Sequence, residues 1–177
     1  MTSLYFEEAE VGKLRTAGPY LVSTNEIIEF AQKYDPQPFH INEEAAARSV
    51  FAGLTASSAH TFSILISLLG NAQPSLHFLA GLGWDELRLP TAVRPGDELD
   101  LEVTVLEKRE SKSNSDRGIV RNQMHLRNQA REIVLQGINT VLVARDDPMI
   151  EDVLIWKFVG EHQPLHKSQL ESVHSRS

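Results

Sequence analysis

Residues 34–69 read YDPQPFHINEEAAARSVFAGLTASSAHTFSILISLL. The second half of this segment, 58–69, is a long apolar run that predicts a helix, with Ser57 or Ser58 as its N-cap and Gly70 as its end. Apolar residues occupy nearly all sides of this helix. We therefore expect it to be buried, with the rest of the fold packed around it.

The first half of the segment places a carboxylate and an imidazole, Asp35 and His40, five positions apart. Pro36 and Pro38 fix their own φ angles and push the residue before each of them towards an extended conformation, which predicts a stiff loop. A carboxylate and an imidazole that face one pocket can share a water molecule and act as an acid and base pair. The structural alternative is that Asp35 only ends a helix and that His40 is a partly buried group beside Phe39.

Two short helices are predicted before the apolar run. Ser23 stands three residues before Glu26, the spacing of a capping box, and the apolar residues that follow recur at i, i+3, i+4 and i+7. Those apolar positions are Ile27, Phe30, Ala31 and Tyr34. Asn42 is the predicted N-cap of a second helix over 43–48, whose first turn contains two acidic residues.

From residue 84 onwards the hydrophobic period changes from helical to alternating. The sequence RPGD at 94–97 predicts a turn, and 98–108 alternates as a half-buried strand. Residues 110–116 predict a hairpin loop, and 133–143 is apolar on both faces, which favours a central strand. One long helix followed by antiparallel strands predicts an α+β fold in which the sheet wraps the helix.

Composition limits the classes of protein and partner. The 177 residues are 41% hydrophobic and contain no cysteine, which predicts one globular domain over 1–147 without disulfides. The extension 148–177 is expected to pack in part and then to be disordered, and its three histidines do not favour a metal site. No signal peptide or membrane span is recognised, so a cytoplasmic protein is expected. A net charge of −7 argues against nucleic acid as a partner.

The charge is nevertheless uneven. Seven basic residues and two acidic residues, Glu110 and Asp116, lie within 108–131. Such a patch on an acidic protein is suited to a small polyanion, for example the phosphates of coenzyme A. The alternative is that these residues form the solvated faces of a hairpin.

The run FAQKYDPQPFHINEEAAA at 30–47 resembles the hydratase motif of the MaoC-like (R)-specific enoyl-CoA hydratases. The stretches FAGLTASSAHTFSILISLL at 51–69, RLPTAVRPGDELDLEVTV at 88–105 and RNQAREIV at 127–134 agree with the same family, in the same order. The resemblance implies a hotdog fold, in which a curved antiparallel sheet wraps one long central helix, assigned here to 58–69. It also implies a homodimer or a higher symmetric oligomer.

The resemblance further implies an activity, the addition of water to a trans-2-enoyl-CoA to give the (R)-3-hydroxyacyl-CoA, or the reverse dehydration. His40 would activate the water and Asp35 would deliver a proton. The backbone N–H of Ser58, where the family commonly has glycine, would bind the thioester oxygen. Coenzyme A is then part of the acyl-CoA substrate, and no other cofactor is implied.

The expected lining of the substrate pocket consists of four residues, Phe39, Ser57, His60 and Ser63. His60, Ser63 and Ser67 form a narrow polar stripe on the helix, which either faces a polar pocket or bonds back to helix carbonyls. The candidates for binding the phosphates of coenzyme A are Arg109, Lys112, Arg117 and Arg121. Residues 70–83 are interpreted as a loop that covers either the acyl pocket or the core.

Two other functions remain open on the sequence. A hotdog acyl-CoA thioesterase would use the same carboxylate to activate water against the thioester carbonyl, although the Asp35 to His40 spacing favours hydration. A non-catalytic acyl-CoA-binding subunit is favoured by Ser58 and opposed by the intact pair.

Overall fold

The computed structural model describes residues 3–146. It has four helices in this range, α1 (Thr24–Tyr34), α2 (Pro38–Ile41), α3 (Glu43–Ala47) and α4 (Ser58–Asn71), and one 3-10 turn, Phe6–Glu8. The strands are β1 (Ser3–Leu4), β2 (Leu14–Leu21), β3 (Ser75–Leu76), β4 (Phe78–Arg88), β5 (Glu98–Glu110), β6 (Arg117–Arg127) and β7 (Ile133–Ala144). The predicted boundary at 147 and the C-terminal extension lie outside the described residues.

Five strands form one antiparallel sheet in the order β2-β5-β6-β7-β4, and β1 pairs with β3 in a separate parallel pair. The α+β prediction is confirmed, and β7 is an internal strand as predicted. The predicted loop over 70–83 is wrong, because 78–83 pair with β7 as the start of the edge strand β4. Two of its glycines, Gly81 and Gly83, interrupt the alternation that would have identified a strand.

The central helix α4 packs one face against the sheet. Its buried residues Ile64, Leu65 and Leu68 join a core with residues of three adjacent strands. The strand residues of this core are Leu99, Leu101, Val103, Met124, Leu126, Val134 and Leu135. The predicted alternation of β5 and the predicted hairpin loop after it are therefore confirmed.

Two predictions about α4 are wrong. The helix continues through Gly70 and ends at Asn71, with Ala72 as its C-cap. It is also not buried on all sides, because Ile66 is 43% exposed. Within residues 3–146 no helix has the length and apolar character needed to span a membrane.

Candidate active site

The segment that carries Asp35 and His40 follows directly from the end of α1. The Ser23 side chain accepts a hydrogen bond from the Glu26 amide, which confirms the predicted N-cap. Asp35 leaves the helix with φ −155° and ψ 72°, as expected for a residue before proline. The predicted loop is in part a helical turn, α2, which begins at Pro38 because proline is well accepted at the first helical position.

His40 is held by a backbone carbonyl of the segment that leads into α4. It is 7% exposed, and its Nδ1 donates a hydrogen bond of 2.6 Å to the carbonyl oxygen of Thr55. This bond requires the proton on Nδ1, so the neutral ring has its lone pair on Nε2. The Phe39 ring meets the imidazole edge-on with centroids 4.5 Å apart, which further restricts the orientation of the ring.

The free nitrogen of His40 faces the predicted carboxylate. Nε2 lies 3.8 Å from Oδ2 of Asp35, whose side chain is 33% exposed. This separation is too long for a direct hydrogen bond, but both atoms can bond to one water placed between or beside them. The structure thus brings Asp35 and His40 together, and chemically the arrangement offers one proton acceptor and one carboxyl group to a shared water.

The N-terminus of α4 lies close by in the chain. Thr55, whose carbonyl holds His40, is three residues before Ser58, the first residue of the helix. Three residues span at most ~11 Å, so the backbone N–H of Ser58, which is free at the start of the helix, lies within this distance of the Thr55 carbonyl that holds His40. These N–H groups and the helix dipole favour an oxygen that carries negative charge. The side chain of Ser58 is exposed.

The four residues predicted to line the pocket have different environments. Phe39 contacts the His40 ring, as just described. Ser57 is 1% exposed and its hydroxyl caps α4 by accepting from the His60 amide at 3.2 Å. Ser63 is exposed, and its hydroxyl donates to the Ala59 carbonyl at 2.9 Å. Of the two interpretations of the polar stripe, this is the one in which the side chain bonds back to a helix carbonyl. The stripe itself does not exist as one surface, because His60 is buried.

We expect Ser57→Ala to lower the free energy of unfolding by about 1 kcal/mol, because the first turn of α4 then loses its N-cap acceptor. Urea denaturation of the purified chain measures this change. Ser63→Ala is the matched control, since its exposed hydroxyl only bonds within its own helix, and it should change stability by less than ~0.5 kcal/mol. Equal effects in the two variants would contradict a capping role for Ser57.

A half-buried hydrogen-bond network that the sequence analysis missed involves the buried His60. The Glu26 carboxylate accepts from the Tyr20 hydroxyl and from Nε2 of His60, the latter at 3.0 Å. His60 also stacks on Phe30, with ring centroids 4.6 Å apart. The capping-box spacing assigned Glu26 to the start of α1, and no local pattern links it to a histidine 34 residues later. This network accounts for the burial of His60.

Burial, the hydrogen bond to Glu26 and the negative charge of that carboxylate raise the pKa of Tyr20 to about 12. Its ordinary pKa is 10.0. Between these values the unfolded chain loses the phenol proton before the folded chain does, so stability falls as the pH rises from about 10 to about 12. Below pH 10 the contribution is fully present.

Tyr20→Phe should therefore lose less stability than the parent chain between about pH 10 and about pH 12, the window in which the parent's Tyr20 is protonated only when folded. Urea denaturation at the two pH values measures the difference. Tyr34→Phe is the control, because Tyr34 is 60% exposed and should leave the parent's pH dependence intact. An identical pH dependence in the Tyr20 variant and the parent would contradict the raised pKa.

The candidate phosphate-binding residues lie around the β5–β6 hairpin. The segment before α4 instead lies beside the start of β5, since the Ala56 amide donates to the Val93 carbonyl at 2.9 Å. The two ends of β5 are about 40 Å apart at ~3.3 Å per residue. Within one chain, the structure therefore does not bring Arg109, Lys112, Arg117 and Arg121 to the Asp35–His40 pair.

Carboxylates from neighbouring positions also match much of the charge of this basic patch. Arg117 pairs with Asp116 at 2.6 Å, and Arg121 pairs with Glu107 at 3.0 Å and with Asp85 at 3.6 Å. The sequence count missed Asp85 and Glu107 because they lie outside 108–131 and reach the patch across the sheet. No group of three or more histidine, aspartate or glutamate side chains within residues 3–146 is arranged to hold a metal ion.

Residues 6–127 match the family model described as MaoC like domain. A solved MaoC-like dehydratase from Rhodospirillum rubrum is 41% identical to this chain, with a TM-score of 0.77 over 82% of this chain and 99% of that chain. An unliganded R-hydratase from Pseudomonas aeruginosa shares the fold at 23% identity, with a TM-score of 0.67 over 81% of this chain and 88% of that one.

A 3-hydroxybutyryl-CoA dehydratase from Methylorubrum extorquens is 31% identical over 105 residues, which are 59% of this chain and 65% of the relative. The five-stranded antiparallel sheet and its long helix are thus the hotdog fold that the sequence resemblance implied. The family model covers more than half of the chain, from the 3-10 turn to the end of β6. The chain belongs to the family of MaoC-like domains.

Proposed function

We propose that this protein adds water across the 2,3 double bond of a trans-2-enoyl-CoA to give the (R)-3-hydroxyacyl-CoA, or catalyses the reverse dehydration. The observation that carries the proposal is the geometry of His40. Its Nδ1 is fixed on the Thr55 carbonyl, and its Nε2 lies 3.8 Å from the Asp35 carboxylate, a separation at which one water can bond to both atoms. Coenzyme A enters as part of the substrate.

In the hydration direction, Nε2 of His40 takes a proton from water as the water oxygen forms a bond to C3. The π electrons move towards the thioester, and an enolate oxygen develops. Asp35 in its acid form then gives a proton to C2, so that one O–H bond of water and one C=C π bond are exchanged for a C–O and a C–H bond. Return of the proton from His40 to Asp35 through water restores the starting state.

The backbone N–H of Ser58 is the proposed donor to the enolate oxygen. A donor of this kind acts mainly on the transition state, because negative charge is present on that oxygen only during the reaction. A serine at this position keeps the N–H, and its side chain is exposed. The proposal therefore places the thioester oxygen at the start of α4 and C3 beside His40.

We further propose that two copies of the chain associate. Support comes from exposed apolar side chains of α4 and of the edge strand β4. Ile66 is 43%, Phe78 is 60% and Leu82 is 52% exposed. An edge strand with exposed apolar residues is a surface on which a second copy can pair. Sedimentation equilibrium of the purified chain tests this association, and a monomer at all concentrations would contradict it.

The loss of enoyl-thioester absorbance tests the proposed reaction directly. Purified chain is mixed with trans-2-enoyl-CoA substrates of short and long acyl chains, and the product is resolved as the (R)- or (S)-3-hydroxyacyl-CoA. We expect turnover to the (R) product without release of free thiol. Thiol release would instead support a thioesterase. No turnover by the folded chain on any substrate would overturn the hydratase proposal and favour a non-catalytic acyl-CoA-binding subunit.

A further inference from the structure

A cavity of about 340 Å³ lies between the C-terminal half of α4 and the sheet. Its walls are largely apolar and include Ile66, Leu69 and Trp84. Cavities of a few hundred Å³ with apolar walls and a few convergent polar groups are typical of small-molecule sites. The polar groups that line this cavity include Arg15, Asn122 and Asn139.

Arg15 is a buried cation that forms no ion pair with a carboxylate of residues 3–146. It is 5% exposed. Its Nη2 donates to Oδ1 of Asn122 at 3.2 Å, while its Nε is buried and has no hydrogen-bond partner. Burial lowers the pKa of Arg15, although a guanidinium remains charged at neutral pH.

The two asparagines and Arg15 are joined by hydrogen bonds that occupy both amide oxygens. Asn122 and Asn139 face each other across β6 and β7, and Nδ2 of Asn122 donates to Oδ1 of Asn139 at 3.0 Å. Both amide oxygens are therefore engaged, one by Arg15 and the other by Asn122. Arg15 and the amide nitrogens therefore offer N–H donors beside a positive charge, and such donors favour an acceptor with negative charge.

The cavity is separate from the Asp35–His40 pair. β2, which carries Arg15, meets the chain just after α4, where the Gln73 amide donates to the Thr16 carbonyl at 3.3 Å. The Asp35–His40 pair instead lies near the N-terminus of the same helix. A helix of 14 residues is about 20 Å long at ~1.5 Å per residue, so the two places lie towards opposite ends of α4.

We propose that this cavity binds the carboxylate end of a small organic molecule with an apolar body. The carboxylate accepts from Arg15 and from the amide nitrogens, and the apolar body lies against Ile66, Leu69 and Trp84. The ligand is either a free carboxylate or the far end of an acyl chain that terminates in a carboxylate. The inference concerns binding and does not depend on the proposed hydration reaction.

Binding of hexanoate tests the proposal, with hexanamide as the neutral ligand of the same shape. The fluorescence of Trp84 reports binding in a chain in which Trp156→Phe removes the other tryptophan. We expect hexanoate to bind at least ~10-fold more tightly than hexanamide, as hydrogen bonds to a charged partner require. Equal affinity for the two ligands, or no binding of either, would overturn the proposal without any variant being made.

Arg15→Met tests whether the preference for hexanoate comes from Arg15, since methionine keeps an unbranched side chain and removes the charge. The variant should bind hexanamide as the parent does and lose its preference for hexanoate. The matched control is Arg88→Met, because Arg88 is exposed and donates only to the neighbouring Leu87 carbonyl. An undiminished preference for hexanoate in folded Arg15→Met would overturn the assignment to this cavity.

A second experiment distinguishes a free carboxylate from an acyl chain that ends in a carboxylate. Enoyl-CoA substrates whose acyl chains end in a carboxylate or in a methyl group are compared by the same fluorescence signal. A preference for the carboxylate-ended chain that disappears in Arg15→Met supports the acyl end as the ligand. Binding of hexanoate without such a preference supports a free carboxylate. Neither result requires turnover, so failure of the hydratase proposal does not affect this test.

Discussion

Asp35→Asn and His40→Ala should each lower kcat for enoyl-CoA hydration by roughly 10²–10⁴-fold, the range for loss of a general acid or base. Asparagine has nearly the shape of aspartate but cannot deliver the proton to C2. Alanine removes the Nε2 lone pair that takes the proton from water. We expect KM to change much less, because neither group contacts the coenzyme A part of the substrate in the proposed reaction.

The two variants differ in their structural consequences. Within residues 3–146 the side chain of Asp35 makes no hydrogen bond and approaches His40 at 3.8 Å, so its replacement by asparagine should leave stability nearly unchanged. His40→Ala leaves the buried Thr55 carbonyl without its donor and should cost about 1–3 kcal/mol of stability. Circular dichroism and urea denaturation must therefore accompany the kinetics of both variants.

Glu44→Gln is the matched control for Asp35→Asn. Its carboxylate lies on the neighbouring helix α3 with its side chain 80% exposed, where it pairs with Arg48, and neutralising it should leave kcat unchanged. Hydration at the parental rate by folded Asp35→Asn or folded His40→Ala would contradict the proposed roles of the pair. A loss of activity in Glu44→Gln as large as that in Asp35→Asn would show that the effect is not specific to Asp35.

Ser58→Pro should lower kcat by roughly 10²–10³-fold, because it removes one backbone N–H from the proposed oxyanion site. The position tolerates proline unusually well. Ser58 is the first residue of α4, where proline is favoured, and Ser57 before it already has φ −68° and ψ 160°, the extended conformation that proline demands. The helix should therefore keep its stability while losing the donor.

Ser58→Ala and Ser58→Gly complete this test. Both keep the N–H, and alanine also removes the exposed hydroxyl, so both should hydrate the substrate at close to the parental rate. If Ser58→Pro retains full activity while folded, the thioester oxygen is not bound by this N–H. If Ser58→Ala is as inactive as Ser58→Pro, the hydroxyl rather than the backbone is required.

Local pattern was sufficient for most of the fold. The capping sequence at Ser23, the turn at Gly96 and the alternation along β5 all act within a few residues of the chain, and each is present in the structure as predicted. The prolines after Asp35 end α1 as expected, although Pro38 begins the helical turn α2 where a loop was predicted. The predictions for the edge strand β4 and for the end of α4 were wrong, because Gly70, Gly81 and Gly83 weakened the local signals. Pairing with β7 and packing against the sheet stabilise these two elements in the structure.

The candidate site was predictable only as a pair of residues. The motif at 34–69 identified Asp35 and His40, but the state of the imidazole depends on Thr55, whose carbonyl takes the Nδ1 proton and leaves Nε2 free. The peptide plane that makes this contact is placed by the hydrogen bond between Ala56 and Val93, 37 residues later in the chain. The spacing of Asp35 and His40 along the sequence gives no information about how the imidazole is oriented.

The same reason explains the two polar networks that sequence patterns did not reveal. The bonds from Glu26 to His60 and from Arg15 to Asn122 join residues 34 and 107 positions apart. Hydrophobic periodicity and capping signals arise from neighbours along one element, and they determined which helices and strands form. Which buried polar groups meet depends on strand register and on the packing of α4 against the sheet, so these contacts arise only when the whole chain has folded.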